Sequence, residues 1–171
     1  MKTSTKILLL VAGLALSACT DPSRLGGDGA AGGINGGNGA FGAGSVNDPT
    51  SVAYFNQAVG DRVLFAVDQS TLSDAGRVVL DGQAVWLQTN TDFTAIIEGH
   101  ADEQGTREYN VALGARRANA AREYLISRGV AGNRLRTVSY GKERPIEICS
   151  NEACYAKNRR AVTVLASGLT G

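Results

Sequence analysis

The spacing of apolar residues changes several times between residue 62 and the end of the chain, and each spacing predicts one element. Short apolar or alternating runs indicate strands, whereas apolar residues recurring at three and four positions indicate helices. Apolar residues recur at helical spacing from Leu72 to Trp86, which predicts a helix with Trp86 in the core. Thr71 or Ser73 could cap the start of this helix. The predicted elements are strand 62–67, helix 71–86, strand 93–97, helix 107–128, strand 135–140, short helix 151–157 and strand 160–165.

The order of these elements predicts the fold class. Strands separated by helices require crossover connections, and a last strand that returns in hairpin fashion adds an antiparallel pairing. We therefore expect an α+β domain with a mixed four-stranded sheet and helices packed on one face. About 110 residues suffice for one hydrophobic core. Residues 51–57 give no clear pattern.

Arg117 lies at an unexpected position on the long helix. On a helical wheel it falls about 40° from Leu113, inside the apolar face rather than opposite it. A guanidinium keeps its charge, so it must be paired or must line a wet cleft. One interpretation is a structural ion pair with Asp102, which follows the preceding strand. The other is that Asp102 and Arg117 face a ligand carrying an ammonium and a carboxylate.

Several motifs occur in an order that resembles a known family. They are GHAD at 99–102, YN at 109–110, LGARRAN at 113–119, VSYGKE at 138–143 and NRRAV at 158–162. Together they resemble the peptidoglycan-binding domain of the outer membrane protein A family, in particular its peptidoglycan-associated lipoproteins. The resemblance runs from Val63 to the end of the chain. It implies the β-α-β-α-β-β fold of that family.

The resemblance also implies a ligand. In this family the positions of Asp102 and Arg117 hold diaminopimelate of the peptidoglycan stem peptide, and the position of Asn110 helps to order it. One end of diaminopimelate is a free zwitterion, which agrees with the wheel argument. We expect Arg117→Leu to leave the fold intact and to abolish binding. The predicted ligand-binding residues are Asp102, Arg117, Asn110, Leu113, Phe65 and Arg160, the last of which could instead form a structural ion pair.

The N-terminal residues are typical of an exported lipoprotein. Lys2 and Lys6 precede a short apolar run, which predicts a signal peptide over residues 1–18. The four residues ending at Cys19 resemble a bacterial lipobox, which implies lipidation of Cys19. Because Thr20 rather than an acid follows directly, we expect an outer-membrane anchor facing the periplasm.

Glycine dominates the next part of the chain. Ten of the twenty residues from 25 to 44 are glycine, so this stretch cannot build a core. We predict a lipidated flexible linker over residues 19–50 and the binding domain over residues 51–171. Such a tether lets the anchor stay in the membrane while the domain finds the cell wall.

Composition and the single histidine exclude other classes of function. The chain has 17 Lys and Arg residues against 16 Asp and Glu residues, which leaves no basic surface for nucleic acid. A hydrolase would need a nucleophile, a base and an orienting group arranged around His100, its only histidine. No GxSxG motif is present. We expect a binding protein with no catalytic residue and no cofactor.

The two remaining cysteines, Cys149 and Cys154, form an even pair once Cys19 is lipidated. In an oxidising compartment this predicts a disulfide that braces the loop before the last strand. A zinc site is the alternative, but it would need two further ligands and His100 belongs to another element.

The resemblance implies protein partners as well. Relatives of this type belong to the Tol system, which draws the outer membrane inward at division. We therefore expect binding to the periplasmic β-propeller protein of that system, at a surface overlapping the wall site. The alternative is a wall-bracing envelope lipoprotein of the same fold outside the Tol system.

Overall fold

The computed structural model describes residues 44–148 and 150–167. The predicted signal peptide, Cys19, most of the predicted linker and Cys149 lie outside these residues. Among the helices of residues 44–148 and 150–167, none combines the length and the hydropathy of a membrane span. The elements are helix α1 (Val52–Tyr54) with a π-helical turn (Phe55–Gly60), β1 (Arg62–Leu64), α2 (Asp74–Thr89), β2 (Phe93–His100), α3 (Arg107–Ser127), a 3-10 turn (Gly132–Arg134), β3 (Leu135–Gly141), α4 (Glu152–Asn158) and β4 (Arg160–Ser167).

The four strands form one mixed sheet in the order β1-β4-β2-β3. Strands β2 and β3 are parallel, as a helical crossover requires. Strand β4 is antiparallel to both β1 and β2. The predicted fold class is therefore confirmed, with one difference in topology. The last strand does not return beside β3 but enters the middle of the sheet, where it brings the residues before it close to the end of β2.

Local signals place the helix ends. The Ser73 hydroxyl accepts a hydrogen bond from the Gly76 amide, which makes Ser73 the cap of α2. The last turn of α3 closes at Gly129, whose φ of +97° suits the left-handed position that glycine adopts most easily. Strand β1 is shorter than predicted because the chain turns after Phe65, with the Gln69 amide donating to the Ala66 carbonyl.

The core lies between the sheet and the helices α2 and α3. Trp86 packs between Phe55 and Phe93, with ring centroids 5.0 Å and 5.1 Å apart. This confirms that Trp86 is a core residue. Its indole Nε1 donates to the Pro49 carbonyl at 2.7 Å. The turn before α1 is thereby fastened to the domain.

Helix α3 approaches β2 closely at two glycines. A side chain on Gly99 would collide with the Gly114 carbonyl, and one on Gly114 would lie 2.8 Å from the Gly99 oxygen. Only glycine at both positions allows this approach. The close contact between α3 and β2 fixes the distance between two predicted site residues. Asp102 lies just beyond β2, and Arg117 lies one turn after Gly114 on α3.

Candidate functional site

The Arg117 side chain is fully buried, at 0% exposure, and is satisfied by backbone carbonyls. Nε donates to Gln69 O at 2.8 Å, one terminal nitrogen donates to His100 O at 2.8 Å and the other to Ala66 O at 3.1 Å. The guanidinium carbon lies 5.3 Å from the centre of the Phe65 ring. The guanidinium is thus enclosed by the chain itself.

Arg117 and Asp102 do not form the direct ion pair that one interpretation of the sequence expects. Burial lowers the pKa of Arg117 to about 10, and the nearby Asp102 carboxylate opposes this shift. Arg117 therefore stays charged at neutral pH. Its removal would take a hydrogen-bond donor from three backbone carbonyls, of which that of Ala66 keeps the Gln69 amide as a second donor, and such losses destabilise a fold. The structure thus gives a reason to expect Arg117→Leu to affect folding as well as binding.

Asp102 is held by a different arginine, Arg159. One Asp102 oxygen accepts from an Arg159 terminal nitrogen at 3.0 Å, and the other accepts from the Gln104 amide at 3.2 Å. Arg159 also donates to the Phe65 carbonyl at 3.2 Å and pairs with Glu152. Both members of the Asp102–Arg159 pair are nearly buried. Such a pair fixes the orientation of the carboxylate.

Arg160 lies elsewhere, contrary to its expected contact with the ligand. It is buried and donates to the carbonyls of Asn158 at 3.3 Å and Arg144 at 3.1 Å. Its other predicted role, an ion pair, is replaced by these backbone contacts. The physical reason is that successive side chains of an extended chain point to opposite faces. Arg159 therefore reaches the cleft side, and Arg160 does not.

A cleft of about 260 Å³ opens beside Asp102 and contains three of the six predicted residues. Phe65 and Arg117 lie behind its wall rather than on its surface. The other lining residues were not among the predicted ligand-binding residues, although Asp68 follows β1 as Asp102 follows β2. The lining residues are Val67, Asp68, Asp102, Gln104, Gly105, Tyr109, Asn110 and Leu113.

Hydrogen bonds between neighbouring segments shape the rim of the cleft. The Asn110 side-chain amide donates to Gln104 O at 2.8 Å, and Lys142 Nζ donates to Gly105 O at 2.6 Å. The Tyr109 hydroxyl donates to the Asp68 carboxylate. Two carboxylates therefore line the cleft, with the Arg117 cation behind it. This arrangement suits a small guest that carries an ammonium group.

A larger groove of about 500 Å³ lies between α1 and α2, away from Asp102. It is lined mainly by apolar side chains such as Tyr54, Val85 and Trp86, with Asp81 as the one charged residue among its lining. The smaller cleft brings two carboxylates to its surface and has the buried Arg117 cation behind them, whereas this groove offers a single carboxylate. We therefore assign the candidate site to the smaller cleft.

His100 ends β2 behind the site and is almost completely buried. Neither ring nitrogen has a hydrogen-bond partner within the described residues. Its Nε2 lies 3.6 Å from a Glu98 oxygen. Burial, together with the positive charges of Arg160 and Arg144, lowers the pKa of His100 to about 4. The ring is therefore neutral at pH 7.

The predicted disulfide and the alternative metal site can be compared with the structure only within the described residues. Cys154 is disulfide-bonded, and its expected partner Cys149 lies outside the described ranges, so that pairing stays a prediction. No group of three or more His, Cys, Asp or Glu residues within 44–148 and 150–167 could hold a metal ion.

Comparison with known proteins assigns the domain to a family. Residues 64–159 match the OmpA family. The peptidoglycan-associated lipoprotein of Rhizobium meliloti is 49% identical over 159 residues, which cover 93% of this chain and 86% of the relative. The protein of the same name from Pasteurella multocida is 38% identical and is covered over 98% of its length, with 95% of this chain aligned.

Solved structures agree with the sequence relatives. The crystal structure of the peptidoglycan-associated lipoprotein from Burkholderia pseudomallei is 36% identical and has a TM-score of 0.63, covering 71% of this chain and 98% of its own. The C-terminal domain of Helicobacter pylori MotB, at 22% identity, has a TM-score of 0.59 over 64% of this chain and 86% of its own. The second likeness concerns the fold alone.

Proposed function

The chain belongs to the OmpA family, and from that premise we propose that it is an outer-membrane lipoprotein that binds peptidoglycan through the cleft at Asp102. It is a binding protein, not an enzyme. The relatives named as peptidoglycan-associated lipoproteins align over most of their own length. This supports transfer of the general function from them to this chain.

The single observation that carries the ligand assignment is the fixed Asp102 carboxylate at the edge of the cleft. Arg159 holds one of its oxygens from behind, and only about a tenth of the side chain is exposed. A carboxylate held in this way can receive an ammonium group without reorganising. We propose that the ammonium is that of diaminopimelate in the stem peptide.

The carboxylate of the same diaminopimelate end would be directed towards Arg117. The guanidinium is charged and lies close enough to Asp102 for their charges to interact. Asn110 and Leu113 would shape the cleft, and Phe65 would support Arg117 from its buried position. The mechanism is non-covalent attachment, in which no bond is made or broken.

We propose that the attachment links two layers of the cell envelope. Lipid on Cys19 would hold the chain in the outer membrane, and the glycine-rich linker would let the domain reach the wall from the periplasmic face. We further propose a place in the Tol system, with its periplasmic β-propeller protein competing for the cleft. Co-purification of that protein distinguishes this role from wall bracing outside the Tol system.

The ligand proposal is tested by calorimetric titration with the stem tripeptide that ends in meso-diaminopimelate. The matched ligand is the same tripeptide ending in lysine, which keeps the ammonium but lacks the carboxylate. We expect the lysine peptide to bind at least about tenfold more weakly, because it loses one charge-assisted contact. Equal binding of both peptides would contradict recognition of the carboxylate.

The protein side is tested with Asp102→Asn, which keeps the shape of the side chain and removes its charge. Asp81→Asn is the control, because Asp81 pairs with Arg128 away from the cleft. We expect the first variant to lose binding of the diaminopimelate peptide and of purified sacculi, and the second to retain both.

A further inference from the structure

A short segment closes the path between the cleft and Arg117. Residues 66–69, here called the gate, supply two of the three carbonyls that hold the guanidinium, and Val67 and Asp68 of the same segment line the cleft. Building on the proposed function, we propose that the gate is a closed lid over Arg117 that opens when the carboxylate of a ligand displaces the carbonyls of Ala66 and Gln69.

The closed state follows from the geometry of Arg117. The side chain has no exposed surface, and each of its three nitrogens donates to a carbonyl. A guest carboxylate therefore cannot contact the guanidinium while the gate stays in place. The His100 carbonyl belongs to β2 and is fixed by the sheet. Only the two carbonyls of the gate can move aside.

The gate itself is weakly held. Strand β1 ends at Leu64, and the Phe65 amide still donates to the Arg159 carbonyl. Beyond that point Val67 is 56% exposed, so little apolar packing fixes the segment. Asp68 has a φ of +57° and is the one residue other than glycine with positive φ among those described. Aspartate is one of the few residues that adopt that backbone conformation readily, which makes the gate a local turn rather than part of a strand or helix.

One side-chain contact acts as a latch on the closed gate. The Tyr109 hydroxyl, in the first turn of α3, donates to the Asp68 carboxylate. Tyr109 is 45% exposed, so the contact is accessible from the cleft. Arg117 also bonds the Ala66 and Gln69 carbonyls at the two ends of the gate, so three hydrogen bonds attach the gate to α3. A ligand that opens the gate must break the latch.

The gate explains how the cleft selects a zwitterion over a simple amine. A carboxylate accepts a stronger hydrogen bond from a guanidinium than a neutral carbonyl does, and it can take two at once. It can therefore replace both gate carbonyls. A guest that carries only an ammonium group would meet Asp102 but would leave the gate closed.

The test removes the latch without changing the fold. In Tyr109→Phe the closed state loses one hydrogen bond, so opening becomes easier and the tripeptide ending in meso-diaminopimelate should bind roughly 2- to 10-fold more tightly in calorimetry. The matched control is Tyr124→Phe, because the Tyr124 hydroxyl donates to Asp81 at 3.0 Å on another part of the surface. The control should leave the affinity unchanged. If Tyr109→Phe bound the tripeptide as tightly as wild type or more weakly, the proposal that the gate opens would be contradicted.

A second measurement needs no ligand. NMR exchange of the Arg117 Nε–H, which is bonded to Gln69 O in the closed state, should be roughly 2- to 10-fold faster in Tyr109→Phe than in wild type. Unchanged exchange would overturn the latch. If the wild-type protein fails to bind the tripeptide, the proposed function fails, and the exchange experiment still decides whether the gate exists.

Discussion

At the scale of single residues, the buried pair of Arg159 and Asp102 is the contact on which the site depends most. Removing one partner of a buried ion pair leaves an uncompensated charge, whereas an exposed pair contributes little. Arg159→Met should therefore lower the free energy of unfolding by about 3 kcal/mol in urea denaturation, and binding of the diaminopimelate peptide should be lost.

Arg62→Met is the matched control for that prediction. Arg62 pairs with Asp61 at 2.7 Å, but about half of its side chain is exposed. Its loss should change the unfolding free energy by less than about 1 kcal/mol. Comparable losses in both variants would show that burial does not distinguish the two pairs.

His100 gives the molecule a predictable dependence on pH. Its pKa is lowered from 6.5 to about 4 in the folded state. Between these values the unfolded chain binds the proton and the folded protein does not, so stability falls as the pH is lowered from 6.5 towards 4. From pH 7 to pH 4.5 the loss from this residue should be about 2 to 3 kcal/mol.

The measurement compares urea denaturation of wild type and His100→Gln at both pH values. Carboxylates titrate in the same range in both proteins, so the difference between their slopes isolates the histidine, the only one in the chain. We expect the wild-type protein to lose more stability than the variant. Parallel slopes would contradict a buried neutral ring.

At the scale of elements, the contact between α3 and β2 positions the site. Gly114→Ala gains about 1 kcal/mol of helix propensity, but its Cβ would lie 2.8 Å from the Gly99 oxygen, which belongs to the sheet backbone. Overpacking costs typically 1 to 3 kcal/mol, so the net effect should be a loss of up to about 2 kcal/mol, measured by thermal or urea denaturation.

Gly82→Ala, in α2, is the control for the same chemical change. Its Cβ would meet one methyl group of Val59 at 3.5 Å, which is an ordinary contact. The substitution should be neutral or should stabilise the protein by up to about 1 kcal/mol. If both variants behaved alike, the close approach of α3 and β2 would not be what determines the effect.

The elements themselves could be predicted because their signals are local. Period and capping residues gave every described helix longer than two turns. Short apolar runs gave the first two strands and alternation gave the last two, with end errors of a few residues. The position of β4 could not be predicted in this way. Its insertion between β1 and β2 depends on pairing between residues far apart in the chain. The spacing of apolar residues within a strand does not indicate which strand it pairs with.

In the candidate site, too, local features could be predicted from the sequence and long-range contacts could not. The wheel located Arg117 among apolar residues and therefore found its burial, but it could not distinguish a carboxylate partner from backbone carbonyls. The choice of Arg160 over Arg159 has a physical reason. In the structure Ala161 and Thr163 face the helices while Val162 and Val164 face the other way, although the two valines are the more apolar pair, so alternation along β4 indicates the wrong face for the arginines that precede it.

At the scale of the whole molecule, the linker and the domain meet near Pro49. The Trp86 indole donates to the Pro49 carbonyl at 2.7 Å, and the Ser51 hydroxyl donates to the Ser45 carbonyl at 2.6 Å. Residues 44–50, within the predicted linker, are therefore part of the packed structure. The predicted linker is thereby reduced to residues 19–43, about 25 residues, and the flexible coil that their composition predicts would have a root-mean-square span of roughly 28 Å and a taut reach of about 85 Å.

This junction can be tested by truncation. A chain that begins at Ser51, the predicted start of the domain, lacks the acceptor for the buried Trp86 N–H, whereas one that begins at Gly44 keeps it. An unsatisfied buried donor costs about 1 to 3 kcal/mol, so the shorter chain should unfold at correspondingly lower urea concentration. Both chains should bind the diaminopimelate peptide equally, because the cleft lies at the far ends of β1 and β2. Equal stability of the two chains would place the boundary at residue 51 and would leave all of residues 19–50 available as tether.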